Sequence, residues 1–112
     1  MENRIEKLFN LYLISVVGPN PVLRIETKQT TFLRSMRRYL TTDLYYINNI
    51  KVGSKAEGAT KISMDMELYK ITRTLFGLKP DELSEYFNDW ISKISSNEFR
   101  GHIMDNKDIY KS

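Results

Sequence analysis

Hydrophobic and polar positions along this chain change period several times, and each change predicts an element. In residues 3–17, Ile5, Leu8, Phe9, Tyr12, Leu13 and Val16 fall at helical spacing, while Leu11, Ile14 and Val17 widen the apolar stripe over most of the circumference. Either this helix is buried on most sides, or only its first half is helical. Gly18-Pro19-Asn20-Pro21 ends it, because proline removes a backbone donor and restricts the residue before it. Val22, Leu23 and Ile25, broken by Arg24 and Glu26, predict a short half-buried strand. After Thr27 the repeat turns helical: Phe32, Leu33, Met36, Tyr39 and Leu40 make one stripe, with Arg34, Arg37 and Arg38 off it. A helix over residues 30–41 is therefore expected, its first turn capped by the hydroxyl of Thr30 or Thr31.

Leu44 to Val52 reads extended, Gly53 to Ala59 reads as a polar loop, and Lys61 to Leu68 alternates polar and apolar residues over eight positions. These segments predict a hairpin with a long loop, completed into a sheet by the strand at 22–27. Tyr69 to Phe76 reads as a helical turn or two, stopped by Gly77. Pro80-Asp81-Glu82 then opens the strongest amphipathic helix, in which Leu83, Tyr86, Phe87, Trp90, Ile91 and Ile94 share one face. The expected fold class is α+β, a small mixed or antiparallel sheet of three to four strands with two amphipathic helices on one face. It occupies residues 1–96 as a single domain, and 97–112 form a polar tail. The apolar stripes exceed what one small sheet covers, which predicts a partner.

Composition narrows the class only a little. At 112 residues, 41% hydrophobic and 28% charged, the chain suits one globular domain. The absence of cysteine removes disulfides and thiolate metal sites. Leu11 to Val17 is too short and too interrupted to span a bilayer, and Glu2 and Glu6 argue against a signal peptide. An intracellular protein is expected. The net charge of +3 is small, but it is unevenly spread: Arg24, Lys28, Arg34, Arg37 and Arg38 face one acid, Glu26, whereas Asp81, Glu82, Glu85 and Asp89 form an acidic run.

Candidate catalytic groups are few. His102 lies alone in the polar tail, and a general base or metal ligand needs organised neighbours. Glu26-Thr27-Lys28 has a nuclease-like E-x-K spacing without the preceding Asp, so alternating residues on a strand explain it better. Asp65 and Glu67 fall on one face of the predicted strand but lack a third oxygen ligand. Gly53 and Gly58 lack the Lys-Ser/Thr or helix start that phosphate binding requires. A non-catalytic protein is expected, with no cofactor, no metal and no small-molecule substrate.

The run Glu26, Thr31-Phe32, Met36-Arg37, Leu40, Asp43 resembles the strand-helix motif of the small alpha-like subunits of multisubunit DNA-directed RNA polymerases. That family includes polymerase II subunit eleven, the archaeal L subunit and the bacterial alpha amino-terminal domain. Departures occur at Thr30, where His is usual, and at Leu33-Arg34, where Gly-Asn or a similar pair is usual. Leu78-Lys79-Pro80-Asp81-Glu82-Leu83 resembles the family's entry into its last helix, and Lys51-Val52 the end of its second strand. The resemblance implies a non-catalytic assembly subunit in transcription, heterodimerising with a larger alpha-like subunit to form the platform for the two large catalytic subunits. It implies Phe32, Leu33, Met36, Leu40, Leu83, Phe87, Trp90, Ile91 and Ile94 as dimer-facing residues. Nucleic acid would be met through the complex, in the nucleus of a eukaryote or otherwise in the cytoplasm, including a virus-infected host's. The alternatives are a small basic nucleic-acid-binding regulator using Arg34, Arg37 and Arg38, and an adaptor or inhibitor of the same fold.

Overall fold

The computed structural model describes residues 4–18, 20–33 and 38–94, and leaves the side chains of 30–39 aside. In chain order the elements are helix α1 (Arg4–Val17), strands β1 (Leu23–Leu33), β2 (Arg38–Ile47), β3 (Ile50–Ala56) and β4 (Ser63–Met64), and helices α2 (Met66–Phe76) and α3 (Pro80–Ile94). The strands form one antiparallel meander in the order β1-β2-β3-β4, so the α+β class and the small sheet with packed helices are what the chain adopts.

The expected helix over 30–41 does not form where the chain is described. Residues 30–33 complete β1 and 38–41 begin β2, paired from Thr30 with Leu40 to Leu33 with Arg38. Thr27, Thr30, Thr31, Thr41 and Thr42 are β-branched and stiff at χ1, which favours a pleated strand over a helix. A register shift between Thr31 and Leu33 adds one residue to the strand. Thr30 and Thr31 therefore cap no helix.

Two other boundaries move. The segment 44–52 is not one strand, because Asn48 (φ 49°) and Asn49 (φ 69°) make a tight turn between Ile47 and Ile50. Positive φ at both central positions is the requirement of a type I′ hairpin, and Asn tolerates it better than most residues. The loop expected from Gly53 is instead strand as far as Ala56. The alternation at 61–68 yields only the two-residue β4. Asp65 then stands at the N-cap of α2, where Glu67 lies in the first turn and Leu68 and Thr72 are buried one turn apart. Gly77 closes α2 in the left-handed conformation, its N–H reaching the Arg73 carbonyl at 2.8 Å.

Helix α1 runs unbroken to Val17 and buries Phe9, Leu11, Leu13, Ile14 and Val17. Tyr45 and Ile47, two apart on β2 and so on one face, join it together with Val52. Aromatic rings join α1 to the other two helices, Phe9 lying 5.8 Å from Phe76 on α2 and 5.6 Å from Tyr86 on α3, while within α3 Phe87 stacks on Trp90 at 5.9 Å. Leu83, Phe87, Trp90 and Ile94 are fully buried in this core.

Candidate functional site

The sheet leaves one part of itself outside the core. β3 follows β2 only as far as the Thr42–Ala56 pair. Beyond it Gln29–Thr41, Thr30–Leu40, Thr31–Tyr39 and Leu33–Arg38 continue as a two-stranded ribbon. From Arg24 to Gln29 every side chain of β1 is exposed, so the strand is held by its backbone ladder and by cross-strand contacts. The Arg24 guanidinium sits 4.4 Å over the Tyr46 ring and 3.0 Å from the Glu26 carboxylate, and Thr27 Oγ1 donates to Asp43 Oδ1 at 2.8 Å.

Charge along this ribbon is one-sided. Between Lys28 and Thr42 the sequence carries four cations (Lys28, Arg34, Arg37, Arg38) and no acid. Lys28 is exposed on β1, and the Arg38 backbone pairs with Leu33 at the far end of the ladder. Arg34, Met36 and Arg37 belong to the connection 34–37, outside the described residues. On the flank of the ribbon, Thr41, Asp43, Lys55 and residues Ala56 to Ala59 border a shallow, open concavity of about 330 Å³. Glu57 fixes its rim, donating its N–H to the Thr41 carbonyl at 2.9 Å and accepting from the Thr41 N–H at 3.3 Å.

The residues expected to face a dimer partner separate into two groups. Leu83, Phe87, Trp90, Ile91 and Ile94 are at most 4% exposed and face the chain's own core, so in this fold they offer no surface to a partner. The physical reason is that α1 and the β3–β4 end of the sheet pack against this helix: Phe9 meets Tyr86, Glu6 pairs with Lys93, and the Phe87 ring lies against Gly53. Leu40 is 39% exposed on β2; the side chains of Phe32 and Leu33 and all of Met36 lie outside the description. Of the weaker candidates, Glu26 is paired with Arg24, Asp65 lies 3.8 Å from Lys51, Glu67 is on a helix rather than beside Asp65 on a strand, and His102 lies outside the described residues. Among the described residues no group of three or more His, Cys, Asp or Glu could hold a metal ion, and no helix is long and apolar enough to cross a membrane.

Two asparagines that the hydrophobic pattern passes over hold the frame behind the ribbon. Asn48 accepts from the Val22 N–H at 3.0 Å and donates to the carbonyls of Val17 at 2.8 Å and Asn20 at 3.0 Å. It thereby ties the end of α1 to the start of β1. Asn88 on α3 accepts from the Ile62 N–H at 2.9 Å and donates to the Ile62 carbonyl at 3.0 Å, standing in for a strand partner before β4. The Asn-Asn dipeptide between Ile47 and Ile50 is a turn signal for the first; nothing local marks the second.

No protein-family model matches the chain, and no curated protein or solved structure matches it.

Proposed function

We propose that this chain is a non-catalytic nucleic-acid-binding module that uses the far end of the β1–β2 ribbon. The observation that carries the reading is a four-cation, acid-free segment in the sequence, of which Lys28 and the Arg38 backbone are described and lie on the β1–β2 ladder. A two-stranded ribbon fits the major groove of a duplex, where arginine and lysine neutralise phosphates and arginine can pair with guanine edges. Threonine hydroxyls on the same strands add neutral phosphate contacts.

Fluorescence anisotropy with labelled duplex DNA, duplex RNA and single strands, taken across a salt series, tests it. Micromolar or tighter binding is expected, with log K falling linearly in log salt. Replacing Arg34, Arg37 and Arg38 together by Ala should flatten the slope on duplex DNA by about 2.7, three contacts at 0.9 each. No binding at low salt, or binding indifferent to the three substitutions, overturns the reading.

A second reading is the RNA polymerase assembly subunit, supported by the register of Glu26, Thr31, Met36-Arg37 and Leu40 in the sequence. It requires a partner surface other than the α3 stripe, which the core occupies. Isolation of the tagged chain at moderate salt checks it: a larger alpha-like chain and two very large subunits in constant ratio are expected, and their absence refutes it.

A further inference from the structure

We propose that β1 pairs with β1 of a second copy of this chain, antiparallel about a two-fold axis perpendicular to the sheet, giving one continuous eight-stranded sheet. The proposal goes beyond nucleic-acid binding and does not rest on it. β1 is an edge strand of eleven residues, paired with β2 on one side; among the described residues no strand pairs the other. It contains no proline, and Arg24 to Gln29 are all exposed, so among the described residues no packed side chain covers that stretch of the edge. Natural edges deter pairing with charge, and a row of one sign would repel a second copy. Here the row alternates: Arg24, Glu26 and Lys28 lie two apart, on one face of the strand.

The symmetry and the charges together select a register. Residues directly opposed across such an axis share a face, and the axis passes through one residue and its copy. An axis at Glu26 sets two carboxylates against each other and Arg24 against Lys28. An axis at Lys28 opposes two ammonium groups. An axis at Ile25 opposes Arg24 to Glu26 twice, but only Leu23 to Thr27 of the strand overlap. An axis at Thr27 opposes Glu26 to Lys28 of the second copy twice and overlaps the strand from Leu23 to Thr31. Among the described residues Lys28 has no ion pair, and Glu26, held by Arg24 at 3.0 Å, has acceptor capacity left for a second cation. The Thr27 register is the one that uses both.

Sedimentation equilibrium of the full chain, without nucleic acid and up to several hundred micromolar, tests this. Wild type should dimerise. Glu26→Lys and Lys28→Glu should each weaken the dimer roughly tenfold or more, because each places like charges opposite one another twice. An equimolar mixture of the two variants should restore dimerisation, since both opposed pairs then attract. The mixture also controls for folding, because two misfolded chains would not rescue each other. A wild type that stays monomeric, a dimer indifferent to both substitutions, a mixture without rescue, or a dimer weakened by Glu26→Lys but not by Lys28→Glu overturns the proposal. The last result would mark the Ile25 register instead.

Discussion

Asn48 ties the end of α1 to the start of β1 through one polar side chain, and its replacement is the sharpest test of how the sheet is attached to α1. The side chain makes three hydrogen bonds, to Val22, Val17 and Asn20, and the backbone sits at φ 49°. Each bond contributes about 0.5–1.5 kcal/mol net, with the partly solvated ones at the low end. Asn48→Gly keeps the left-handed backbone and should cost about 1.5–3 kcal/mol. Asn48→Ala loses the same bonds and adds the left-handed penalty of a β-carbon, about 1 kcal/mol more. Asn48→Asp keeps the acceptor for Val22 but turns a carboxylate oxygen toward two carbonyls, one of them in the last turn of α1, where the helix dipole disfavours negative charge. It should be at least as damaging as Gly at neutral pH and should recover partly below the ordinary carboxylate pKa, about 4, where the protonated acid regains a donor. Urea unfolding followed by circular dichroism measures all three, with unchanged m-values as the two-state check. If Asn48→Gly and Asn48→Asp unfold like wild type, the side-chain tether is not what holds this junction; Ala no worse than Gly would refute the left-handed penalty instead.

Gly53 has no room for a side chain: a β-carbon would stand 2.4 Å from the Ser63 carbonyl oxygen and 3.1 Å from the Phe87 ring. Gly53→Ala should therefore cost about 1–3 kcal/mol by pushing β4 and α3 away, and a melting temperature within a degree or two of wild type would contradict this. Trp90 is fully buried and its Nε1 has no hydrogen-bond partner among the described residues, so Trp90→Phe, which trades lost volume against removal of that donor, should cost under about 3 kcal/mol in urea unfolding. Trp90→Asp should unfold the chain outright, visible as loss of the far-ultraviolet helical signal, because it buries an unpaired charge. Alkaline pH should weaken the fold. The hydrogen bond that Lys93 donates to Asp89, with Glu6 assisting against an opposing burial effect, holds the Lys93 ammonium above its ordinary pKa, while burial and Asp43 push the Tyr45 hydroxyl up. Both groups retain protons in the folded chain that the unfolded chain releases, so their contribution is complete below about pH 10 and is lost as pH rises through the folded values. Thermal melts from pH 8 to 11.5 should show the decline, and Lys93→Met should make it shallower; an unchanged slope refutes the Lys93 part.

How much of this was legible in the sequence differs from element to element. The last helix was legible because its signals agree: Pro80 in the first turn, acids at the positive end, and Leu83, Phe87, Trp90, Ile91 and Ile94 at one spacing. Gly77 was legible as a stop for the same reason. The segment 30–41 was not. Its apolar residues fit a helical stripe, but its threonines favour strand, and the ladder takes up one extra residue between Thr31 and Leu33. Local pattern has no means to weigh one against the other; the backbone ladder between its two halves, from Thr30–Leu40 to Leu33–Arg38, decides it.

The candidate site followed the same division. Charge order alone marked Arg34, Arg37 and Arg38, whereas the ribbon on which Lys28 and the Arg38 backbone lie depends on β1 pairing with β2 beyond the reach of β3. The α3 stripe shows the converse. Its amphipathic character was fixed by the order of residues, since 3.6-residue periodicity is local. What it faces was not, because whether α1 of the same chain or a partner covers an apolar face depends on how the whole chain closes. The sequence by itself determined where apolar faces, stops and charges lie along the chain; tertiary structure decided which faces meet and which edge stays open, because burial is a property of the assembled chain and not of any one segment.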